Sequence, residues 1–269
     1  MTPPPKVLDG DLPFVDKFPD GKNALELFSG AWASRLPARF HDVPGQGSAG
    51  LFEDERILWA AGRLQEHGIP LAGADVLELG PLEAGHTSML LQKGARRVTA
   101  VEANARAYVK CLVVKEVLGL TGASFLLGNA LPFLRAEGPT YDVGVACAFL
   151  NHLRQPVEVI ELLARRCRAV YVWNVVYGPA LFEKQPGLRP HFGPPQAAKW
   201  GGFPHTLHPH AYGEVHDYRT FWGGVEPDCC WMEAEEVVAA LRHFGFTRVD
   251  VRREPSPFGE AVGVVASRA

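Results

Sequence analysis

An acidic residue, a glycine and a helix-opening turn follow one another in VLELGPLEAGHT, residues Val76 to Thr87. A strand that ends in such a turn gathers backbone N–H groups at its carboxyl edge, where a sheet holds nucleotide ligands. Glu102 closes the next apolar run, RRVTAVE, 22 positions after Gly80, and a carboxylate there suits two hydrogen bonds to a ribose diol. Asn129 closes the third run, ASFLLGN, where an amide can contact an adenine. Each sign alone is weak, because a plain turn, a solvated strand end and a helix cap explain them one by one. Together, in this order, they describe an adenosine site.

A dinucleotide turn reads G-x-G-x-x-G, and its second glycine lets a pyrophosphate approach the backbone. Here Leu82 and Ala84 stand where glycine would be expected. Leu82 obstructs a pyrophosphate. S-adenosylmethionine carries ribose and adenine but no phosphate, so the loop favours it over NAD.

These residues need a parallel sheet to position them, and the chain has the alternation for one. Strand runs ADVLELG, RRVTAVE, ASFLLGN, YDVGVACA and AVYVWNVV alternate with helical runs, the longest being ARAYVKCLVVKEVLGL and VEVIELLARRC. A helix, EAEEVVAALRHFGF, and two strands, TRVDVRRE and AVGVVAS, close the chain. Between Tyr177 and Trp231 no period is sustained, and Pro, Gly, His and aromatic residues crowd the stretch. So long an irregular segment reads as a functional insertion. The expected organisation is an N-terminal extension and helical cap over 1–72, then an α/β domain over 73–269 with a lid insertion over 177–231.

VLELGPLEAGHT, AVEAN, LLGNA, YDVGVACAFLNHL and the closing helix and hairpin resemble the class I S-adenosylmethionine-dependent methyltransferases, from about Gly73 to Ala269. The resemblance implies a Rossmann-like, seven-stranded, mostly parallel sheet with an antiparallel last strand, helices on both faces, and S-adenosyl-L-methionine as cofactor. It places Glu78, Gly80, Pro81, Leu82, Gly85, His86 and Thr87 around the methionine moiety. Glu102 and Ala103 fall at the ribose, Asn129 and Ala130 at the adenine, and Cys147 and Ala148 on the reactive side. Leu82, Ala84 and an Asn129 in place of the usual Asp depart from the family pattern. The histidine and proline of NHLRQPVEVI bear a distant likeness to the tRNA wobble-uridine carboxymethyltransferase group.

Methyl transfer is an in-line displacement, helped by a base when the acceptor is a hydroxyl or protonated amine. His152, after the fourth strand, is the candidate base, with a capping or packing role as the alternative. His205, His208, His210 and His216 with Glu214 and Asp217 could bind a divalent cation, but their spacing matches no standard zinc pattern and no metal is assigned. Substrate contacts are expected from Trp32, Arg35, His205, His208, Tyr212 and Trp222, with Phe52 and Glu53 also in view. The aromatic insertion reads as a lid; a satellite core or a homodimer interface is the alternative. The function expected is methyl transfer to an O or N atom of a small molecule such as a sugar, glycan precursor or secondary metabolite. An RNA-modifying enzyme and a non-catalytic adenosylmethionine-binding protein are the rivals.

A formal charge of −3 over 269 residues disfavours a nucleic-acid partner. No run is long and apolar enough to span a bilayer, and MTPPPKVLDGDLP lacks the basic and apolar regions of a secretory leader. Five cysteines, an odd number without a CxxC pair, fit a reduced cytoplasmic protein.

Overall fold

The computed structural model describes residues 14–217 and 223–268. Its main sheet has seven strands: β1 (Asp75–Leu79), β2 (Arg97–Glu102), β3 (Ala123–Leu127), β4 (Tyr141–Cys147), β5 (Cys167–Val175), β9 (Arg248–Ser256) and β10 (Gly259–Ser267). They lie in the order β3-β2-β1-β4-β5-β10-β9. The β1–β5 pairings are parallel, and β10 runs antiparallel to both of its neighbours. This is the expected mostly parallel sheet with an antiparallel last strand. Strand order reverses beside β1, which opens a crevice at the carboxyl ends of β1 and β4.

Helices cover both faces, after a short α1 (Gly21–Glu26) in the N-terminal segment. Helix α2 (Glu55–Glu66) starts at Asp54, whose side chain accepts the Arg56 N–H at 2.9 Å. Helix α3 (Gly85–Gln92) follows β1, and α4 (Ala105–Leu118) starts at Asn104 and stops at Gly119, whose φ of 67° closes it in the left-handed region. Leu25, Phe28, Trp32, Ile57 and Leu64 of the N-terminal segment share one core with Val76, Val98 and Cys111. On the opposite face α5 (Ala130–Arg135), α6 (Pro156–Arg166) and α8 (Ala234–His243) pack Leu134, Ile160, Leu163 and Leu241 against Leu77, Val170 and Val264. With both faces covered, the central strands are mainly apolar, which is why they read as near-continuous runs.

The insertion differs from the sequence expectation, because its described residues form a helix and a second sheet. After α7 (Pro179–Lys184) come β6 (Gln196–Trp200), β7 (Phe203–Ala211) and β8 (Asp228–Trp231), an antiparallel sheet in the order β6-β7-β8. Prolines 204 and 209 hid β7, since proline argues against a central strand. Yet β6 pairs with residues 203–207 only, and β8 with 208–211 only. Pro204 therefore lies on a stretch with a single partner, while Pro209 has β8 on one side and on the other only accepts, its carbonyl taking the Gly193 N–H at 2.9 Å. The buried positions of β7 also include His205, His208 and His210, so no apolar period shows. Tyr177, Phe182, Phe192 and Trp231 close around this sheet as a small core of their own.

Candidate functional site

A cavity of about 470 Å³ opens at the carboxyl ends of β1 to β4. Of the residues singled out in the sequence, Gly80, Leu82, Glu102, Ala103, Asn129, Ala130, Cys147, Ala148 and His152 line it. Its size falls within the roughly 300–1,000 Å³ of small-molecule sites. A shallower hollow of about 530 Å³ is formed by Arg35 and residues 41–47 of the N-terminal loop, away from the strand ends. Arg35 faces that hollow.

The turn after β1 keeps the backbone of a glycine loop without its glycines. Gly80, Leu82 and Ala84 have φ of 71°, 53° and 61°. For Leu82 and Ala84 this left-handed geometry costs roughly 1–2 kcal/mol each. Surrounding bonds hold it in place. Leu82 N–H donates to Glu102 Oε2 at 3.0 Å, and Ala84 N–H to the Pro81 carbonyl at 2.9 Å. The wholly buried Glu83 carboxylate takes the Ala33 and Ser34 N–H groups at 2.9 and 2.8 Å and Lys110 Nζ at 2.6 Å. Gly85 is required by space: a Cβ there would sit 2.6 Å from that of Leu51.

Glu102 is only 7% exposed, and Oε1 accepts the Asn104 N–H at 2.8 Å. Burial pushes its carboxyl pKa up, against the pull of the backbone N–H groups around it. The carboxylate lines the cavity among the Leu82, Ala103 and Asn104 N–H groups. Asn129 both caps α5, accepting the Leu131 N–H at 2.9 Å, and lines the cavity. Its side-chain oxygen thus already has one partner.

Glu78, Pro81, Gly85, His86 and Thr87 lie behind the loop rather than on the cavity lining. Glu78 accepts the Thr87 hydroxyl at 2.5 Å, and burial raises its pKa. His86 Nε2 donates to Asp54 Oδ2 at 2.8 Å. Burial opposes its charge, but Cys147 and the Asp54 carboxylate outweigh burial and lift its pKa to about 10. Asp54 also takes Arg56 Nε at 2.8 Å, and the Arg56 guanidinium lies 4.1 Å over the Trp173 ring. His86 and Arg56 hold the Asp54 pKa far down despite its burial.

On the opposite wall His152 Nδ1 meets the Tyr212 hydroxyl at 2.8 Å. Burial, and then the nearby His210, lower the His152 pKa to about 4. Gly224 of the insertion presses on the same residue, and a Cβ at that position would lie 2.1 Å from the His152 carbonyl oxygen. Residues 223–226 complete this side of the cavity.

Other expected contacts are elsewhere. Trp32 is buried in the N-terminal core with its indole N–H on the Leu25 carbonyl. His205 stacks on Phe203 and His208 on Tyr177, both away from the cavity. Tyr212 reaches the site through His152. Trp222 lies outside the described residues. No group of three or more His, Cys, Asp or Glu among the described residues is placed to hold a metal ion. Sequence reading missed Asp54, Arg56, Glu83 and Lys110; the N-cap pattern of Asp54 was visible, whereas nothing local marks Glu83.

No family model and no curated protein matches this sequence. Solved structures do. The N-terminal domain of EvdMO1 with SAH bound aligns at TM-score 0.65 and 18% identity, over 93% of this chain and 95% of that one. The same domain in the presence of SAH and D-fucose gives 0.64 and 19% over the same shares. Magnesium protoporphyrin IX methyltransferase from Synechocystis PCC 6803, with bound SAH, gives 0.55 and 16% over 81% of this chain and 84% of that one. Together with the strand order, these likenesses establish the architecture: this chain has the fold of the class I S-adenosylmethionine-dependent methyltransferases.

Proposed function

We propose that this protein is an S-adenosylmethionine-dependent methyltransferase acting on an O or N atom of a small molecule. One observation carries the reading. At the switch point of the sheet, a buried carboxylate, Glu102, is fixed by backbone N–H groups at the wall of a cavity large enough for a nucleoside. The group fits the residues present. Glu102 would hold the ribose diol, Asn129 and Ala130 the adenine, and Gly80 and Leu82 the start of the methionine tail. Cys147, Ala148 and His152 would line the reactive side. When bound, the sulfonium supplies an activated methyl group; the chain supplies orientation and shelter from water.

A sugar, glycan precursor or secondary metabolite is the acceptor class we favour. The SAH-bound neighbours support it, one being crystallised in the presence of D-fucose and another named for a porphyrin. The likeness to wobble-uridine enzymes rests on NHLRQPVEVI alone, and the −3 charge gives RNA little to hold.

Calorimetry with SAH, S-adenosylmethionine and NAD tests the cofactor. Binding of the adenosyl ligands is expected, and Glu102→Ala should weaken SAH roughly 10- to 100-fold through lost charge-assisted bonds. Binding of NAD with neither adenosyl ligand would sink the reading. Label transferred from methyl-labelled cofactor into a panel of sugars and glycan precursors then tests the acceptor.

A further inference from the structure

The insertion sends Tyr212 to the back of His152, and this contact decides what the histidine can do. The Tyr212 hydroxyl oxygen accepts the Gly224 N–H at 3.3 Å and lies 2.8 Å from His152 Nδ1. It also touches Cys229, whose Sγ is 3.7 Å from His210 Nδ1. Burial above all holds the Tyr212 pKa up, so the phenol keeps its one proton. The imidazole nitrogen at 2.8 Å is a stronger acceptor for that proton than the Cys229 thiol sulfur. The nitrogen wins. Cys229, whose thiol burial pushes up to about 12, keeps its own proton for His210.

His152 is neutral at physiological pH, and a neutral imidazole bears a single N–H. With Nδ1 accepting from Tyr212, that proton sits on Nε2. The ring lines the cavity, and no bond from Nε2 to another described residue is seen.

We propose that Tyr212 is a positioning residue that locks His152 in the Nε2–H form, so that His152 meets its ligand as a hydrogen-bond donor and not as a base. The ligand atom that fits is an acceptor, such as a sugar hydroxyl or a carboxylate oxygen. The donor would orient that oxygen at the cavity wall. Its place in methyl transfer rests on the function proposed above; the tautomer itself does not. The base role expected for His152 from sequence is thereby replaced.

Two-bond ¹⁵N–¹H correlation spectra of histidine-labelled protein read the tautomer directly, with His152→Gln to assign the signal. Wild-type His152 should show a bare, hydrogen-bonded Nδ1 and a protonated Nε2. Tyr212→Phe keeps the ring but removes the proton donor, and should shift the Nδ1 signal toward the protonated position as the two forms mix. Cys229→Ala should leave the tautomer as it is; a flip would mean that the Tyr212 proton had pointed to sulfur. A protonated Nδ1 in the wild type, or no change in Tyr212→Phe, would overturn the proposal. SAH calorimetry on Cys229→Ala should give an affinity within about twofold of wild type. If SAH does not bind while the Nε2–H form is observed, the methyltransferase reading falls and the tautomer lock stands.

Discussion

The cavity has one histidine behind its loop wall and one on its insertion wall, and the two are driven to opposite charge states by their surroundings. His86, behind the loop wall, is buried between Asp54 and Cys147 and keeps its proton to about pH 10. His152, on the insertion wall, lies against Tyr212 near His210, and its pKa falls to about 4. His86 is buried and His152 half-buried at the cavity wall, and loss of water by itself favours the neutral ring. Cys147 and the Asp54 carboxylate reverse that preference for His86, and a phenol cannot do so for His152. Burial alone therefore does not say what a histidine will do; the polar groups against its ring do.

The loop wall is the more vulnerable of the two, because its charges compensate one another inside the protein. Asp54→Asn leaves the His86 cation and Arg56 without their carboxylate. Side chains of Asp54 and His86 are only 7% and 10% exposed, so solvent cannot take over. Breaking such a pair costs about 3–5 kcal/mol. The urea midpoint should fall accordingly, while Glu55→Gln, one residue on and exposed, should change stability by less than about 0.5 kcal/mol. Equal effects of the two substitutions would show that His86 sheds its proton at little cost.

Acid separates the walls by sign. For His152 the folded pKa of about 4 lies below the ordinary 6.5. Between those values the unfolded chain takes a proton that the fold refuses, so the contribution is full above pH 6.5 and is lost as pH falls toward 4. At pH 5 the loss is about 2 kcal/mol. His86 behaves in reverse, contributing fully below pH 6.5 and losing that contribution as pH rises through 10. Glu78 and Glu102, with raised pKa values, gain protons in the fold on acidification and mask part of the His152 slope. The difference between wild type and His152→Gln removes that mask. Denaturant unfolding at pH 7 and pH 5 should show the wild type losing about 2 kcal/mol more than the variant. Parallel losses would place His152 in contact with water.

The two walls also differ in how much of them could be read in the sequence. Strand ends at Gly80, Glu102, Asn129 and Cys147 were legible, since continuous apolar runs mark buried parallel strands and the ligand edge follows from their order. The insertion was not. Its central strand carries histidines where apolar residues would mark a period, and prolines, which argue against a central strand. One signal was available: Gly201 and Gly202, both at positive φ, form the two-residue turn of the β6–β7 hairpin. Nothing local could have joined Tyr212 to His152, 60 positions apart in sequence, because that bond depends on how the second sheet docks on the first.

Backbone conformation gives the last and smallest contrast. The insertion wall has glycine where a side chain would collide, at Gly224 against the His152 carbonyl. The loop wall has side chains where glycine would relax the chain, at Leu82 and Ala84. For Ala84→Gly two effects oppose each other. Relief of the left-handed residue gives about 1–2 kcal/mol. Loss of a fully buried methyl removes about 0.8 kcal/mol, and the freer unfolded chain another 0.4–1. The net change in unfolding free energy should therefore stay below about 1 kcal/mol, measured by denaturant titration. A gain well beyond that would mean that the bonds of Glu83 and Glu102 hold the loop under more strain than its φ angles imply. A loss beyond it would mean that the Ala84 methyl anchors the loop, and that the missing glycines are a packing choice before they are a ligand choice.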